Sequence, residues 1–395
     1  MAAHLDKAKI TFRRDLVRGA CGGILETGWQ VFALLLAVRV FEASPEVKAT
    51  IAAAGPFGHL LSPLSLFIVT RLGLKAATAA ALSFFLCAGF LVLAIVSHSL
   101  SWFLVSVMSA GIVFAQQAPL MVKIYSENYL PKTRGSMLSN SIVLTVISAA
   151  LFSQFGGRLL DFDLDLYRWI LVTMGAAAVI SGCAVLTIPS TILPATASRN
   201  PLAHINHAWR DRTFGLMLLV WMLVGFGNLI TLPLRVEYMA NPAYGIDAAN
   251  MEIAFVTVVV PSLARLCTTH FWGRLFDRLN FVIIRITINA GFLIGIVIFF
   301  NSTTLWMLGL AGAVFGVATA GGNIAWSLWV TKVAPDDKVA DYMSVHTFTT
   351  GLRGIVAPYI GFALIAGYGP AVTSWVAFVL IGVSIIMLVP MRRLW

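Results

Sequence analysis

Charge is the scarcest thing in this chain. Only 11% of its 395 residues are Asp, Glu, Lys or Arg, where a globular domain carries roughly 25%. A surface so poor in charge cannot face water on every side. That excludes a large soluble protein and leaves lipid as the solvent for most of it. Acids are rarer still, 17 against 27 Lys and Arg, and no His, Cys, Asp or Glu cluster has metal-ligand spacing. The four cysteines, Cys21, Cys87, Cys183 and Cys267, all fall inside apolar runs. They read as small packing residues, without a disulfide. A glycine-rich phosphate loop is missing, and Ser, His and Asp lie scattered at different depths rather than as a nucleophile–base set. The sequence therefore points away from an enzyme and implies neither cofactor nor metal.

What the chain has in abundance is apolar length, at 59% hydrophobic residues. Twelve runs are each near the ~20 residues that cross ~30 Å of hydrocarbon as a helix. They span 19–42, 47–69, 76–97, 101–126, 135–157, 168–189, 213–235, 250–272, 281–301, 304–331, 340–366 and 371–391. The second is the weakest, because it holds Pro56, His59 and Pro63. The longest polar interruption separates an amino-terminal six-helix bundle over 1–190 from a carboxy-terminal one over 213–395, with 191–212 as the linker. The net charge of +10 suggests nucleic acid in isolation. Its cations, however, sit in the short connections, which is the positive-inside pattern of a multispanning protein. With the amino terminus in the cytoplasm, twenty Lys and Arg fall on that side, Arg285 at the start of the ninth run among them. Five fall outside (Arg39, Lys48, Arg158, Arg168 and Arg235), while Arg265 and Arg353 lie within spans. Both termini are expected in the cytoplasm. The basic first eighteen residues read as the tail of a retained first span rather than a cleaved leader. Asp161, Asp163 and Asp165 alternate like part of a calcium loop, but the glycine and the closing glutamate are missing, so they read as a solvated loop.

The two halves share their punctuation. Gly273, Asp277 and Arg278 in the connection after the eighth run, followed by Arg285, correspond to Leu66, Thr70, Arg71, Gly73 and Lys75 after the second. Ala334-Pro335 with Lys338 corresponds to Leu130-Pro131 with Arg134. Two such halves in a bilayer can rock against each other, as a carrier does. On these residues and over its whole length the chain resembles a major facilitator superfamily transporter. The signature is well kept in the second half and degraded in the first, where Leu66 and Thr70 replace the glycine and the acid. The resemblance implies two pseudo-symmetric six-helix bundles, an all-α polytopic membrane protein. It also implies that spans one, four, seven and ten line a central cavity, and that Gly273, Asp277, Arg278, Arg71 and Arg134 belong to a cytoplasmic latch. The other reading of those loop cations is that they only set topology.

A charge within a span costs ~2.5–3.5 kcal/mol, so each one needs a reason. Glu26 in the first run reads either as a proton-coupling carboxyl or as a permanent partner of Arg353 or Arg265. Arg353, between Gly351 and Gly354, reads either as an anion-capturing fork or as a group tied to backbone carbonyls or Glu26. Arg265 reads as an interhelical structural charge. Helical spacing adds Trp29 and Gln30 near Glu26, Gln116 and Gln117 in the fourth run, Asn228 in the seventh, Asn323 and Trp326 in the tenth, and His346 on the Arg353 face. Together with Arg353 these form the expected substrate-binding set. Two arginines against one acid in the membrane interior favour an anionic solute. The expectation is a monomeric secondary transporter in a bacterial inner membrane, moving a small organic anion by alternating access and coupled to protons or another ion. Proton-driven efflux of amphipathic or cationic compounds is the first alternative. A receptor or assembly factor that kept the fold without transport is the second.

Overall fold

The computed structural model describes residues 2–97, 99–192, 210–334 and 339–392. Twelve membrane-length helices follow one another among the described residues. α1 runs Ala2–Thr27, passes through a π-turn at Gly28–Phe32 and continues as Ala33–Arg39. α2 is Pro45–Arg71 and α3 is Ala76–Ile95. α4 is Leu100–Ala115 and, past a turn at Gln116, Gln117–Asn128. α5 is Pro131–Phe162 and α6 is Tyr167–Leu186. α7 is Arg212–Thr231 with the short arm Leu234–Ala240. α8 is Asn250–Ala254, a π-turn at Phe255–Val259, and Val260–Arg278. α9 is Phe281–Phe300 and α10 is Leu305–Val333. α11 and α12 are the two arms of Val339–Met391, divided at Gly369, where φ is 83° and ψ 175°. That backbone is open essentially to glycine alone, and Pro370 after it cannot return a hydrogen bond, so the two arms are separate helices.

Eleven helices among the described residues are long and apolar enough to cross a membrane. The last of them is the pair broken at Gly369, which gives the twelve that the sequence predicts. Their outward faces are apolar, with Leu86, Leu151, Phe155, Val379 and Ile386 all exposed. Water does not stabilise such a face; lipid does. Local starts follow ordinary chemistry. Ser99, Asp211 and Asn280 cap α4, α7 and α9 by accepting from Trp102, Phe214 and Val282 backbone N–H groups. Pro131 opens α5, where its missing N–H is no loss. α2 runs unbroken through both of its prolines, and Gln116 of α4 donates to the Gly58 carbonyl between them at 2.7 Å.

The helices form two compact units. One contains Met1–Ala43 and Thr50–Arg199; the other contains Ser44–Ala49 and Asn200–Trp395. The first turn of α2 thus groups with the second unit. In the first unit α1 packs on α5 through small residues. A side chain at Gly23 would collide with the Thr145 carbonyl and the Ala149 amide, so only glycine allows this approach. The amino-terminal arm of α1, read from the sequence as a basic tail, is part of that packing. Asp15 is 1% exposed. Its Oδ1 accepts from Arg18 Nε at 2.7 Å and from Tyr125 Oη at 2.6 Å. Thr11 Oγ1 accepts from Asn128, which also donates to the Pro189 carbonyl. A buried carboxylate with charge-assisted bonds ties α1 to α4 there.

In the second unit the short arm of α7 carries a second buried pair. Lys48 Nζ lies 2.7 Å from Glu237 Oε1, which Asn241 Nδ2 also reaches at 2.8 Å. Lys48 and Arg235, outer-loop cations by their place in the sequence, are both buried. The cause is that residues 234–240 form a helical arm packed into the unit rather than a loop. Near the start of α11, Tyr342 donates from Oη to Asp211 Oδ2 at 3.1 Å.

Candidate functional site

Four helices of the second unit line a partly open cavity of about 180 Å³. α7, α9 and α10 contribute residues at helical spacing and so turn one face inward, while α11 adds a single residue. α7 supplies Trp221, Gly225 and Asn228, α9 supplies Arg285 and Phe292, α10 supplies Asn323 and Trp326, and α11 supplies Arg353. The size suits a small metabolite rather than a drug-sized ligand.

Trp221 organises the charge. The Arg285 guanidinium lies 3.5 Å from the centre of its ring, and Arg353 Nη1 donates to its backbone carbonyl. A methyl group at Gly225, one turn on, would fall on the Arg353 guanidinium, so the missing side chain makes the berth for it. Arg285 is 2% exposed and Arg353 6%. The Nε of each has no hydrogen-bond partner, and among the described residues neither makes an ion pair. Two arginines at this depth cost about 5–7 kcal/mol on insertion scales. A desolvated cation–π contact returns ~2 kcal/mol and a charged hydrogen bond ~1.5–3 kcal/mol. The protein groups therefore offset only part of the cost, and like charge on neighbouring groups adds to it. The balance favours an anion in the cavity.

Gly225→Ala is expected to push the Arg353 fork off the Trp221 carbonyl. The variant should fold normally and bind an anionic solute about tenfold more weakly, roughly the worth of one charged hydrogen bond. Equilibrium binding to the purified variant checks this.

Arg285 is the correction to the sequence reading. Counted there with the loop cations, it is instead buried within α9, because Phe281, Val282 and Ile284 beside it are themselves buried and hold that turn in the core. His346 is fully buried, with Trp329, Trp221 and Trp326 rings at 5.0, 5.3 and 5.5 Å. Toward the short arm of α7, Asn228 accepts from Arg235 Nη2 at 3.4 Å, and that guanidinium lies 3.3 Å over the Phe315 ring.

The structure brings five of the expected residues together here: Arg353, Asn228, Asn323, Trp326 and His346. The others belong to the first unit. Trp29 packs 6.4 Å from Phe114, Gln30 is exposed and Gln117 is half-buried. Gln116 is committed to packing, donating to the Gly58 and Ile112 carbonyls and accepting from Ser65. Glu26 is exposed on α1 and interacts electrostatically with Arg18. Arg265 is half-buried on α8 and is not among the cavity's lining residues. Of the latch residues, Arg278 and Arg71 are exposed at helix ends, Gly273 is half-buried, and the side chains of Asp277 and Arg134 fall outside the described residues.

The second unit is thus a helix bundle with a small, polar-centred cavity inside it. The family model described as Major Facilitator Superfamily matches residues 237–395. Among solved structures, a variant of the nucleoside transporter NupG is similar with a TM-score of 0.78 at 13% identity, covering 98% of this chain and 100% of that one. The D-xylose-proton symporter is similar with a TM-score of 0.69 at 14% identity, covering 97% and 96%. The human organic anion transporter MFSD10 gives 0.60 at 14%, covering 98% and 99%. No curated protein sequence matches the chain. The family match thus covers much of the second half, and the fold is shared from end to end with solved transporters. The chain is a multi-pass membrane protein.

Proposed function

We propose that the protein is a proton-coupled secondary transporter that moves a small organic anion across the bacterial inner membrane by alternating access, acting as a monomer. The observation that carries this is the pair of buried guanidiniums, Arg285 and Arg353, in one cavity without an acid in its lining. A solute carboxylate or phosphate supplies the missing charge, and the Trp221 and Trp326 rings suit a flat or apolar body beside it. One of the similar structures is an organic anion transporter by name, but at 14% identity it shares the fold alone. Efflux of cationic compounds would call for an acid where these arginines stand. Both termini are assigned to the cytoplasm. Taking the buried Arg285 from the inner count leaves nineteen cations, and taking Lys48 and Arg235 from the outer count leaves three, so the bias stands. Arg71, Gly273 and Arg278 are assigned to a latch on that side, and Glu26 is available as a proton-carrying carboxyl.

Purified protein in liposomes loaded with a pH-sensitive dye tests the reading. External inorganic phosphate is expected to acidify the lumen. Anion binding without flux would make the protein a receptor on a carrier fold, and flux driven by cationic solutes would support efflux.

A further inference from the structure

We propose that His346 is the group through which anion binding is linked to proton uptake; this rests on the anion reading of the cavity. The ring is walled by indoles. Trp221 and Trp326 line the cavity on one side and touch the imidazole on the other, while Trp329 closes the cage. Neither Nδ1 nor Nε2 has a hydrogen-bond partner. A neutral imidazole that is merely structural normally uses at least one nitrogen, because an unmade buried bond costs ~1–3 kcal/mol.

The charged groups that face His346 are Arg353 from its own helix and Arg285 from α9. α7 and α10 present Trp221, Trp326 and Trp329, with neither acid nor cation among their described side chains in contact with it. Tyr342, one turn back on α11, gives its hydroxyl to Asp211. Two arginines therefore oppose a third positive charge, and the ring is neutral while the cavity is empty. An anion seated on Arg285 and Arg353 cancels that field. The three indole rings around the imidazole then suit a cation, and imidazolium becomes the favoured form. The proton comes from solvent and adds to a ring nitrogen; no bond breaks. Linkage is reciprocal, so protonated His346 in turn strengthens anion binding. The sign follows directly. If binding takes up one proton, affinity falls as pH rises, by about tenfold per unit between the titration points of the free and the anion-bound site.

The test is calorimetric binding of benzoate and of inorganic phosphate to the purified full chain, in buffers of different ionisation enthalpy and across pH. The wild type is expected to take up close to one proton per anion bound. His346→Gln is expected to bind with pH-independent affinity and no proton uptake. Proton uptake that persists in His346→Gln, or that is lost instead in Glu26→Gln, overturns the inference while leaving the anion reading intact. Failure of both anions to bind the wild type at any pH removes that reading, and the inference with it. Should His346→Gln not fold, the ligand-free Arg353→Gln variant serves. With one opposing cation removed, its His346 should protonate unaided and quench the surrounding indoles as pH is lowered. A tryptophan emission that does not respond to pH in that variant would also overturn the assignment.

Discussion

Arg353→Gln is expected to lose anion binding by about 10- to 100-fold and, at the same time, to unfold no more easily than the wild type. The first half follows from the loss of a charge-assisted contact worth ~1.5–3 kcal/mol. The second distinguishes a waiting charge from a structural one. Arg353 makes one described hydrogen bond, to the Trp221 carbonyl, and has its Nε unpartnered. Removing it relieves a buried cation beside a second one, so stability should stay level or rise by about 1–3 kcal/mol. A purely structural arginine would behave the opposite way, with the fold weakening. Arg285→Gln should show the same split, tempered by the loss of its stacking on Trp221. Arg353→Lys should recover little of the binding, because an ammonium cannot present the planar fork to a carboxylate. Binding isotherms and denaturant unfolding in the same detergent measure both halves.

The opposite behaviour is expected at the other buried cation. Lys48 is paired, at 2.7 Å, with Glu237, and both are buried. Lys48→Met leaves the Glu237 carboxylate without its counter-charge, holding only the amide of Asn241. The expected loss is about 3–5 kcal/mol of stability. The double variant Lys48→Met, Glu237→Gln should regain most of it, so a double-mutant cycle should give a large coupling energy. The pair fastens the first turn of α2 to the short arm of α7. Its effect is therefore on folding and on the α2 start rather than on solute contacts. Single and double variants within 1 kcal/mol of one another would contradict this.

These two contrasts show what was legible in the sequence. Apolar run length made twelve helices readable, since lipid leaves little choice of element. Arg353 was readable too, because a charge deep in a run has no bland position to occupy. Arg285 was not. It stands at the fifth residue of α9, where a long side chain can either reach back to the surface or be swallowed by the core. Depth along a helix does not say which face a residue takes. Lys48, Arg235 and Glu237 escaped for the same reason, compounded by the helical arm 234–240 that looked like a loop edge. Gln116 shows the converse error. An amide in a span read as a cavity group, yet its bonds to Gly58, Ile112 and Ser65 commit it to holding α4 against α2. The cage around His346 needed residues from three helices, and no spacing rule within one helix reports that.

The central claim is that Arg285 and Arg353 wait for a charge carried by the solute. Thermal unfolding of the wild type and of the double variant Arg285→Gln, Arg353→Gln, each with a series of small anionic, neutral and cationic compounds, tests it most directly. Ligand at a hundred times its dissociation constant adds about 2.7 kcal/mol to the folded state. Anions alone should raise the wild-type midpoint, and the double variant should start near it and respond to none of them. A midpoint raised by a cationic solute, or by an anion equally in both proteins, would contradict the account.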